Sequence, residues 1–248
     1  MARLFWAYDG ASGLGTPPRL YNQIVRQVAA AQGNDAAKNA RLFALVNAAM
    51  ADAGVLACGS RSTSTTCGGR CWAFGSTTRR WGPPAPPATG CPTSVTPNWL
   101  PLGAPNTNRT GKNSTPPFPA YPSGRATFGA AALHMTRLFY NVTKPGPDAL
   151  LNGLSFVSEE LNGVNRDNRG TVRPRHVRKF KDGLWGMIQE NSISRVFLGV
   201  HWIFDGYVPA SNGAIDTSRN IGGVPLGLRI AEDIFNGGRA KGLHRSVV

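Results

Sequence analysis

The sequence predicts an all-α protein, a helical bundle connected by long loops. Apolar residues recur at three- and four-residue spacing over several stretches, which is the period of an amphipathic helix. Alternation with a period of two, which a half-buried strand requires, is almost absent. The 248 residues are enough for one large domain with a substantial core, and we predict a single helical domain over 1–248.

Each predicted helix follows from the position of its apolar stripe. The stripe is clearest in the second helix, where Leu42, Val46, Met50 and Ala53 recur on one side and indicate packing against a core. The last helix begins near Pro225, a residue that suits the first turn. In chain order the predicted helices cover 20–31, 35–56, 125–141, 154–162, 182–191, 193–206 and 225–236.

The chain is strongly basic, with 27 Lys and Arg against 13 Asp and Glu and a net charge of +14. This balance favours an anionic partner, whether nucleic acid, a membrane surface or a small oxyanion. The densest basic run, 173–181, has only Phe180 as an interleaved aromatic residue, whereas single-stranded nucleic acids stack on several. We therefore predict a charged surface loop there and expect no nucleic-acid partner.

The sequence carries no recognisable address. No run reaches the length of a transmembrane helix, and the N-terminus lacks the apolar stretch of a signal peptide, so the chain as written is predicted to be soluble. Its opening residues read like the middle of a domain, which suggests the C-terminal part of a longer parent. A secreted or periplasmic location would follow if that parent carried a signal, and the oligomeric state stays open.

Residues 57–96 depart from the rest of the chain. They contain no Asp, Glu or Lys, yet they hold all four cysteines, Cys58, Cys67, Cys71 and Cys91. The spacing of Cys67 and Cys71 is loosely zinc-like, but no histidine lies nearby to complete a ligand set. The segment is predicted to be a disordered low-complexity insert or a frameshift product rather than a metal site or a disulfide framework.

Two motifs are built for a tetrahedral oxyanion. In the first, Pro122-Ser123-Gly124 precedes a helical pattern, so Ser123 can cap the helix and Gly124 lets main-chain N–H groups approach an anion closely. A simple helix cap is the alternative, because such turns are common.

The second motif is more specific. Arg195 offers a planar fork of donors that matches phosphate-like oxygens. His201 and Asp205 are four residues apart, so on a helix they share a face and the carboxylate can orient the imidazole. A core histidine that a local carboxylate satisfies is the alternative.

Tyr121-Pro-Ser-Gly-x-Ala-Thr-Phe-Gly129 and Ser194-Arg-x-Phe-Leu-Gly-Val-His201-Trp-x-Phe-Asp205 resemble the last two signature motifs of the vanadium-dependent haloperoxidases, which share a fold with the type 2 phosphatidic acid phosphatases. The likeness extends to Gly103–Pro105, Gly111–Asn113, Thr115–Phe118 and Ser218–Pro225. It implies a helical bundle of the haloperoxidase and acid phosphatase type that holds vanadate.

The resemblance also implies roles for individual residues. His201 would be the axial ligand of the metal, oriented by Asp205, and Arg195, Ser123 and the N–H of Gly124 would neutralise the equatorial oxygens. Vanadate is the expected cofactor, for which phosphate or sulfate can substitute. Hydrogen peroxide and halide are the expected substrates.

The chain departs from the family pattern in two places. Arg125 occupies the position of the family's acid–base histidine, and arginine does not exchange protons near neutral pH. An earlier family motif, a lysine followed after six residues by Arg-Pro, is absent between Leu56 and Pro97.

A frameshift over 57–96 would account for the missing motif. A neighbouring frame of permissible codons for Cys58–Thr78 yields Trp-Glu-Gln-Lys-Tyr-Glu-His-Asp-Leu-Trp-Arg-Pro, which contains the lysine, the spacer and the Arg-Pro. The coding DNA tests this hypothesis directly.

The predicted function is therefore vanadate-dependent oxidation of halides by hydrogen peroxide, weak or absent in this chain. Two alternatives stay open. One is phosphomonoester hydrolysis in which His201 attacks phosphorus. The other is a decayed homologue that binds small oxyanions without catalysis.

Overall fold

The computed structural model describes Trp6 and residues 17–63, 120–166 and 170–237. Within these residues it contains six α-helices, one short 3-10 helix and only isolated β-bridges, so the predicted all-α class is confirmed. Predictions on Cys67, Cys71 and Cys91, on the earlier family motif and on the matching stretches between Gly103 and Phe118 lie outside the described residues.

The first two helices form an antiparallel pair at the start of the described chain. Helix α1 covers Pro17–Ala31 and α2 covers Ala36–Thr63, which confirms both predicted helices. Asp35 caps α2, because its Oδ1 atom accepts the N–H of Lys38 at 2.7 Å. Helix α2 continues past the predicted end at residue 56 and into the anomalous segment 57–96.

Helix α3, Gly124–Phe139, is the centre of the bundle. All but two of its sixteen residues are buried, and it contacts α1, α2 and the later helices α4 and α6. Helix α6, Gly223–Phe235, packs especially closely on it, because a side chain at Gly227 would meet the carbonyl oxygen of Thr127 at 2.5 Å. The predictions for 125–141 and 225–236 are thereby confirmed within two residues.

Two predicted helices were wrong in their limits. Residues 182–191 and 193–206 were predicted as separate helices, but α4 runs without a break over Gly183–Phe197. It ends because Gly199 adopts the left-handed conformation, with φ 73°. The chain then forms the short α5, Ile203–Gly206.

The helix predicted at 154–162 is also wrong for most of its length. Only Glu159–Leu161 is helical, as a single 3-10 turn. Phe156 instead pairs with Arg178 as an antiparallel bridge, and each N–H lies 2.9 Å from the other residue's carbonyl oxygen. Because this pairing holds the backbone extended, the apolar residues around it do not form a helix.

Ala36–Ala57 in α2 is long and apolar enough to cross a membrane, with a mean hydropathy of 1.4. The expectation that no run reaches this length is therefore wrong by that measure. The buried stripe of α2, which includes Leu42, Val46 and Ala53, packs in the same core as α3 and α6. Core helices of soluble proteins pass the same test, so the finding is weak evidence for a membrane span.

A buried charged cluster joins α3 to the start of α4. Arg137 and Asp148 are almost fully buried, and Nε lies 3.0 Å from Oδ2. The Asp148 carboxylate also accepts the N–H groups of Leu184 and Trp185, in the first turn of α4. His134 is buried in the same cluster, and its Nδ1 atom lies 3.1 Å from Nη1 of Arg137.

Candidate oxyanion site

The Ser123 turn begins helix α3 as the sequence predicted. Ser123 is buried and extended, and its Oγ atom accepts the N–H of Ala126 at 3.4 Å. Its carbonyl oxygen accepts the N–H and the hydroxyl of Thr127 at 3.0 and 2.9 Å. The N–H groups of Gly124 and Arg125 belong to the first helical turn, where amides have no carbonyl partner within the helix. The predicted helix cap is therefore present. The Ser123 hydroxyl and the N–H groups of Gly124 and Arg125, which we call the anion cradle, are arranged as at helix N-termini that bind anions.

Asp205 orients His201, although not through a shared helical face. The His201 Nδ1 atom lies 3.1 Å from Asp205 Oδ2. His201 precedes α5, and the carboxylate reaches back across the start of this helix to accept the N–H of Trp202 at 2.9 Å. The predicted contact is therefore present, but its predicted helical basis is wrong, because Gly199 ends α4 before residue 201.

Arg195 stands near the end of α4 and is bound to His201 through the main chain. Its carbonyl oxygen accepts the N–H of Val200 at 3.1 Å and that of His201 at 3.3 Å. The residue is 7% exposed and His201 is 8% exposed, so both side chains have a largely desolvated environment. A guanidinium with so little water around it binds an anion more strongly than one on an open surface.

One main-chain hydrogen bond joins the two motifs. The N–H of Ser123 donates to the carbonyl oxygen of Asp205 at 2.8 Å. The structure thus brings the Ser123 turn directly against the residue that orients His201. This contact supports the prediction that the two motifs lie together, for Ser123, Asp205 and His201.

Gly222 brings a third segment of the chain to this junction, outside the two motifs. Its N–H donates to the hydroxyl of Tyr121 at 3.0 Å, and its φ is 89°. A side chain there would meet the carbonyl carbon and oxygen of Gly206 at 2.5 Å. The neighbouring Gly223 approaches Ser123 as closely, with 2.5 Å to its carbonyl oxygen. The paired glycines before Pro225 were the sequence signal for this approach.

Aromatic rings flank the histidine segment. Trp202 and Phe204 stack with a centroid separation of 6.4 Å and an interplanar angle of 5°. Tyr121 lies 6.5 Å from Phe204, centroid to centroid. Phe204 and Ile203 are each 37% exposed. These side chains place an apolar border beside a polar site.

Arg125 is held by the protein itself. Its Nη1 atom donates to the carbonyl oxygen of Trp6 at 3.1 Å, and the residue is 6% exposed. Its own carbonyl oxygen accepts hydrogen bonds from the Tyr21 hydroxyl and the Asn191 amide, both at 3.1 Å. The side chain at this position therefore anchors the buried Trp6.

The basic run 173–181, which includes His176, has the exposure that the sequence predicted. Its described side chains are exposed or half-buried, as expected for a charged surface loop. No three His, Cys, Asp or Glu side chains of the described ranges gather as they would around a metal cation.

Comparison with known proteins gives two findings. Residues 41–222 match the family model described as the VCPO second helical-bundle domain. The chain is also similar to the vanadium chloroperoxidase of Curvularia inaequalis, with 40% identity over 297 aligned residues that include 95% of this chain and 46% of the relative. The chain therefore spans about half the length of the curated relative that it matches.

Proposed function

The chain belongs to the family of the vanadium chloroperoxidase second helical-bundle domain, and from this premise we propose that its oxyanion site binds vanadate and supports peroxide-dependent oxidation of halide. The family makes the chain an enzyme by descent, a member of the haloperoxidases. The finer statements, which concern the ligand, the residues and the turnover of this chain, are our proposal.

The observation that carries the proposal is the junction of the two motifs. Ser123, at the start of α3, is hydrogen-bonded through its N–H to Asp205, whose carboxylate orients His201. A helix N-terminus and an oriented imidazole at one junction would suit a small oxyanion.

The described donors fit such an oxyanion by their chemistry. Arg195 supplies a buried cation with several N–H donors, and the first turn of α3 supplies main-chain N–H groups and the Ser123 hydroxyl. His201 supplies a ring nitrogen. Since Asp205 engages Nδ1, the opposite nitrogen, Nε2, is the one suited to ligate the metal. His201, Arg195, Ser123 and Gly124 are therefore the residues that would hold vanadate.

When bound, vanadate supplies the Lewis acid that activates hydrogen peroxide toward a halide. The protein does the rest. Arg195 and the first-turn amides of α3 balance the negative charge of the bound group. The Asp205 carboxylate accepts a hydrogen bond from the Nδ1–H of His201, which fixes the tautomer in which Nε2 has a lone pair. Trp202 and Phe204, which stack on each other directly after His201 in the chain, give the site an apolar border.

We propose that turnover in this chain is weak. Arg125 stands at the family's acid–base position, and a guanidinium does not exchange protons near neutral pH. The sequence also lacks the lysine and arginine of the earlier motif. Each lost charge-assisted hydrogen bond to the ligand costs roughly 1.5–3 kcal/mol, so two such losses weaken vanadate binding severely.

Phosphomonoester hydrolysis is the second candidate, because the same geometry favours it. A histidine whose Nδ1 is held by a buried carboxylate is oriented for attack on phosphorus through Nε2. Binding without catalysis is the third. All three candidate functions use the same residues. They differ in the reaction that follows anion binding, which is halide oxidation, phosphomonoester hydrolysis or none.

Two assays on one preparation separate these functions. Bromination of monochlorodimedone is measured with orthovanadate, hydrogen peroxide and bromide, and hydrolysis of p-nitrophenyl phosphate is measured without vanadate. We expect slow bromination that His201→Ala abolishes and His176→Ala, a histidine of the basic surface loop, leaves unchanged. Hydrolysis without bromination would favour the phosphatase.

Calorimetric titration with inorganic phosphate and orthovanadate completes the comparison. Binding without turnover in either assay would favour the non-catalytic homologue. If neither phosphate nor orthovanadate binds, the proposed oxyanion site is overturned. We also propose that the protein is soluble, because the apolar stripe of α2 is used in the core.

A further inference from the structure

We propose that Asn191 is a positioning residue that fixes the Ser123 turn relative to Arg195. The inference rests on the proposed oxyanion function of those two residues. Asn191 lies on α4 and is fully buried, and its Nδ2 atom donates to the carbonyl oxygen of Arg125 at 3.1 Å. It lies in neither of the two recognised motifs.

The accepting carbonyl belongs to the first turn of α3. Arg125 follows directly after Ser123 and Gly124, so its carbonyl oxygen moves with the proposed anion cradle. The Tyr21 hydroxyl reaches the same oxygen at 3.1 Å and lies 3.3 Å from Asn191 Oδ1. Three helices, α1, α3 and α4, therefore meet at one main-chain oxygen.

The bundle leaves space for this amide at one position. Gly129 lies one helical turn after Arg125, and a side chain there would come within 2.2 Å of Asn191 Nδ2. Any larger residue at 129 would push the amide away from the carbonyl. The glycine of the Ala-Thr-Phe-Gly129 string thus has a physical reason, which is the approach of Asn191.

Asn191 is also rigidly related to the arginine. Arg195 lies four residues later on the same helix, which puts the two side chains on one face, about 6 Å apart along the axis. Asn191 and Arg195 therefore move together with α4, while Arg125 and Ser123 move together with α3.

Apolar packing alone permits small sliding between two helices, whereas a buried polar contact has a preferred distance and direction. The hydrogen bond from the Asn191 side-chain amide to the Arg125 carbonyl oxygen therefore fixes how far the guanidinium of Arg195 stands from the cradle. Asn191 acts through these residues and touches no ligand in this assignment.

The test uses Asn191→Asp, which keeps the size of the side chain and an acceptor for Tyr21 but removes the donor to Arg125. Inorganic phosphate and orthovanadate are titrated into the full chain by calorimetry. We expect the dissociation constants for both anions to rise about tenfold, as for the loss of one well-formed hydrogen bond.

Val46→Ala serves as the control for stability. It creates a cavity in the core on α2, far along the chain from both motifs, and a purely structural effect would appear in it equally. We expect a lower melting temperature with unchanged anion affinity. Equal affinity losses in both variants would overturn the inference.

Hydrogen exchange of the peptide spanning 121–127 provides the second readout, and it needs no ligand. We expect faster exchange in Asn191→Asp than in Val46→Ala at matched stability. Unchanged exchange together with unchanged affinity would overturn the positioning role. If the parent chain binds neither anion, the proposed function fails, while the exchange comparison still decides whether Asn191 fixes the turn.

A conservative variant guards against misfolding. Tyr21→Phe removes the hydroxyl that reaches both the Arg125 carbonyl oxygen and Asn191 Oδ1, whereas the Asn191 donor stays, so it is expected to fold and to weaken anion binding less than Asn191→Asp. If Asn191→Asp does not fold, an unchanged affinity in Tyr21→Phe overturns the inference and a reduced one supports it.

Discussion

The N–H of Ser123 lies 2.8 Å from the carbonyl oxygen of Asp205 and donates to it. This bond joins the entrance of α3 to the short helix α5, although the two residues are 82 positions apart in the chain. Neither side chain takes part, so the junction survives most substitutions at both positions. Side chains near this junction can therefore change while the main-chain contact between α3 and α5, the frame of the site, is retained. Arg125, two residues after Ser123, is such a change from the family pattern.

Gly222→Ala is expected to damage this frame. The new methyl group would overlap the carbonyl of Gly206, and the residue has a positive φ of 89°. Because neither contact lies at the end of a flexible side chain, the loop must shift away from Tyr121. We expect at least a tenfold loss of phosphate affinity, measured by calorimetry, and a lower melting temperature.

Gly213→Ala is the matched control for that change. Gly213 has a φ of 79°, but nothing lies within 4 Å of a side chain placed there. It therefore reports backbone strain without the overlap, and we expect a modest loss of stability with unchanged phosphate affinity. Equal affinity for phosphate in both variants would show that the approach of Gly222 does not shape the site.

Asp205→Asn is expected to weaken anion binding without unfolding the protein. The carboxylate is buried and holds both His201 Nδ1 and the N–H of Trp202. An amide of the same size can keep one of these contacts but lacks the charge that favours the required tautomer. A charge-assisted hydrogen bond contributes about 1.5–3 kcal/mol, so orthovanadate affinity should fall by about tenfold or more.

The exposed Asp52 on α2 is the matched position, since Asp52→Asn removes the same charge away from the site. Calorimetry at several salt concentrations separates the two effects, because a long-range contribution from net charge is screened by salt. An affinity loss of the same size in both variants would mean that Asp205 acts only through net charge.

Periodicity predicted much of the fold, because most helices bury one regular stripe. The limits of α4 and the absence of a helix at 154–158 were missed, since both depend on single events. Gly199 ends α4 in the left-handed conformation, and Phe156 pairs with Arg178, a residue 22 positions later. Nothing in the local pattern of either stretch reveals such a partner.

The site was predicted unevenly for a related reason. His201, Asp205 and Ser123 carry chemistry in short motifs, so their residue types and spacing point to an oxyanion. Asn191 and Gly222 matter through contacts with distant main-chain atoms. Only the folded chain brings them together. The paired glycines before Pro225 indicate a close approach but not its partner, and the residue type of Asn191 suggests no particular role.

Tyr207 is expected to make the protein sensitive to alkali. Burial raises the pKa of this phenol above its ordinary value of 10.0, only partly offset by a hydrogen bond from Gln189. The unfolded chain therefore releases the proton first as pH rises. The stabilisation is complete below about pH 10 and is lost as pH rises through the folded-state pKa.

Urea denaturation across pH 8 to pH 11 measures this loss as a fall in the free energy of unfolding. We expect Tyr207→Phe to flatten the fall. Tyr140, whose pKa burial also raises, should flatten it further when it is changed to Phe in the same chain. A slope that is identical in the parent and the double variant would refute the assignment.

Asp148→Ala is expected to be the most destabilising of these changes. It leaves the guanidinium of Arg137 buried without its carboxylate, and burial already lowers the pKa of that arginine while Asp148 opposes the shift. Removing one partner of a buried pair costs about 3–5 kcal/mol. The first turn of α4 also loses its acceptor for the N–H groups of Leu184 and Trp185.

Glu159→Ala supplies the comparison, because Glu159 pairs with Arg19 at the surface, where the two side chains are 26% and 48% exposed. Such a pair contributes roughly 0–1 kcal/mol. Chemical denaturation should therefore separate the two variants by several kcal/mol. Similar midpoints would indicate that the Arg137 cluster is hydrated and not closed.

Arg125→His is expected to restore little activity. The change introduces the histidine that the family resemblance implies as the acid–base group, but the lysine and arginine of the earlier motif stay absent. The main-chain carbonyl at 125 keeps its contacts with Tyr21 and Asn191, so the turn should hold its position. The bond from the guanidinium to Trp6 is lost, and a slightly lower melting temperature should follow.

Arg125→Gln separates proton transfer from simple loss of charge. Glutamine keeps a donor for the Trp6 carbonyl and exchanges no protons near neutral pH. In the monochlorodimedone assay with orthovanadate, we expect both variants to remain far below an intact haloperoxidase, with Arg125→His the faster of the two.

Rapid bromination by Arg125→His alone would show that the earlier motif is dispensable in this chain. The frameshift over 57–96 would then no longer explain weak activity. Equal rates in the two variants would instead place the limit on vanadate binding, where the missing lysine and arginine act.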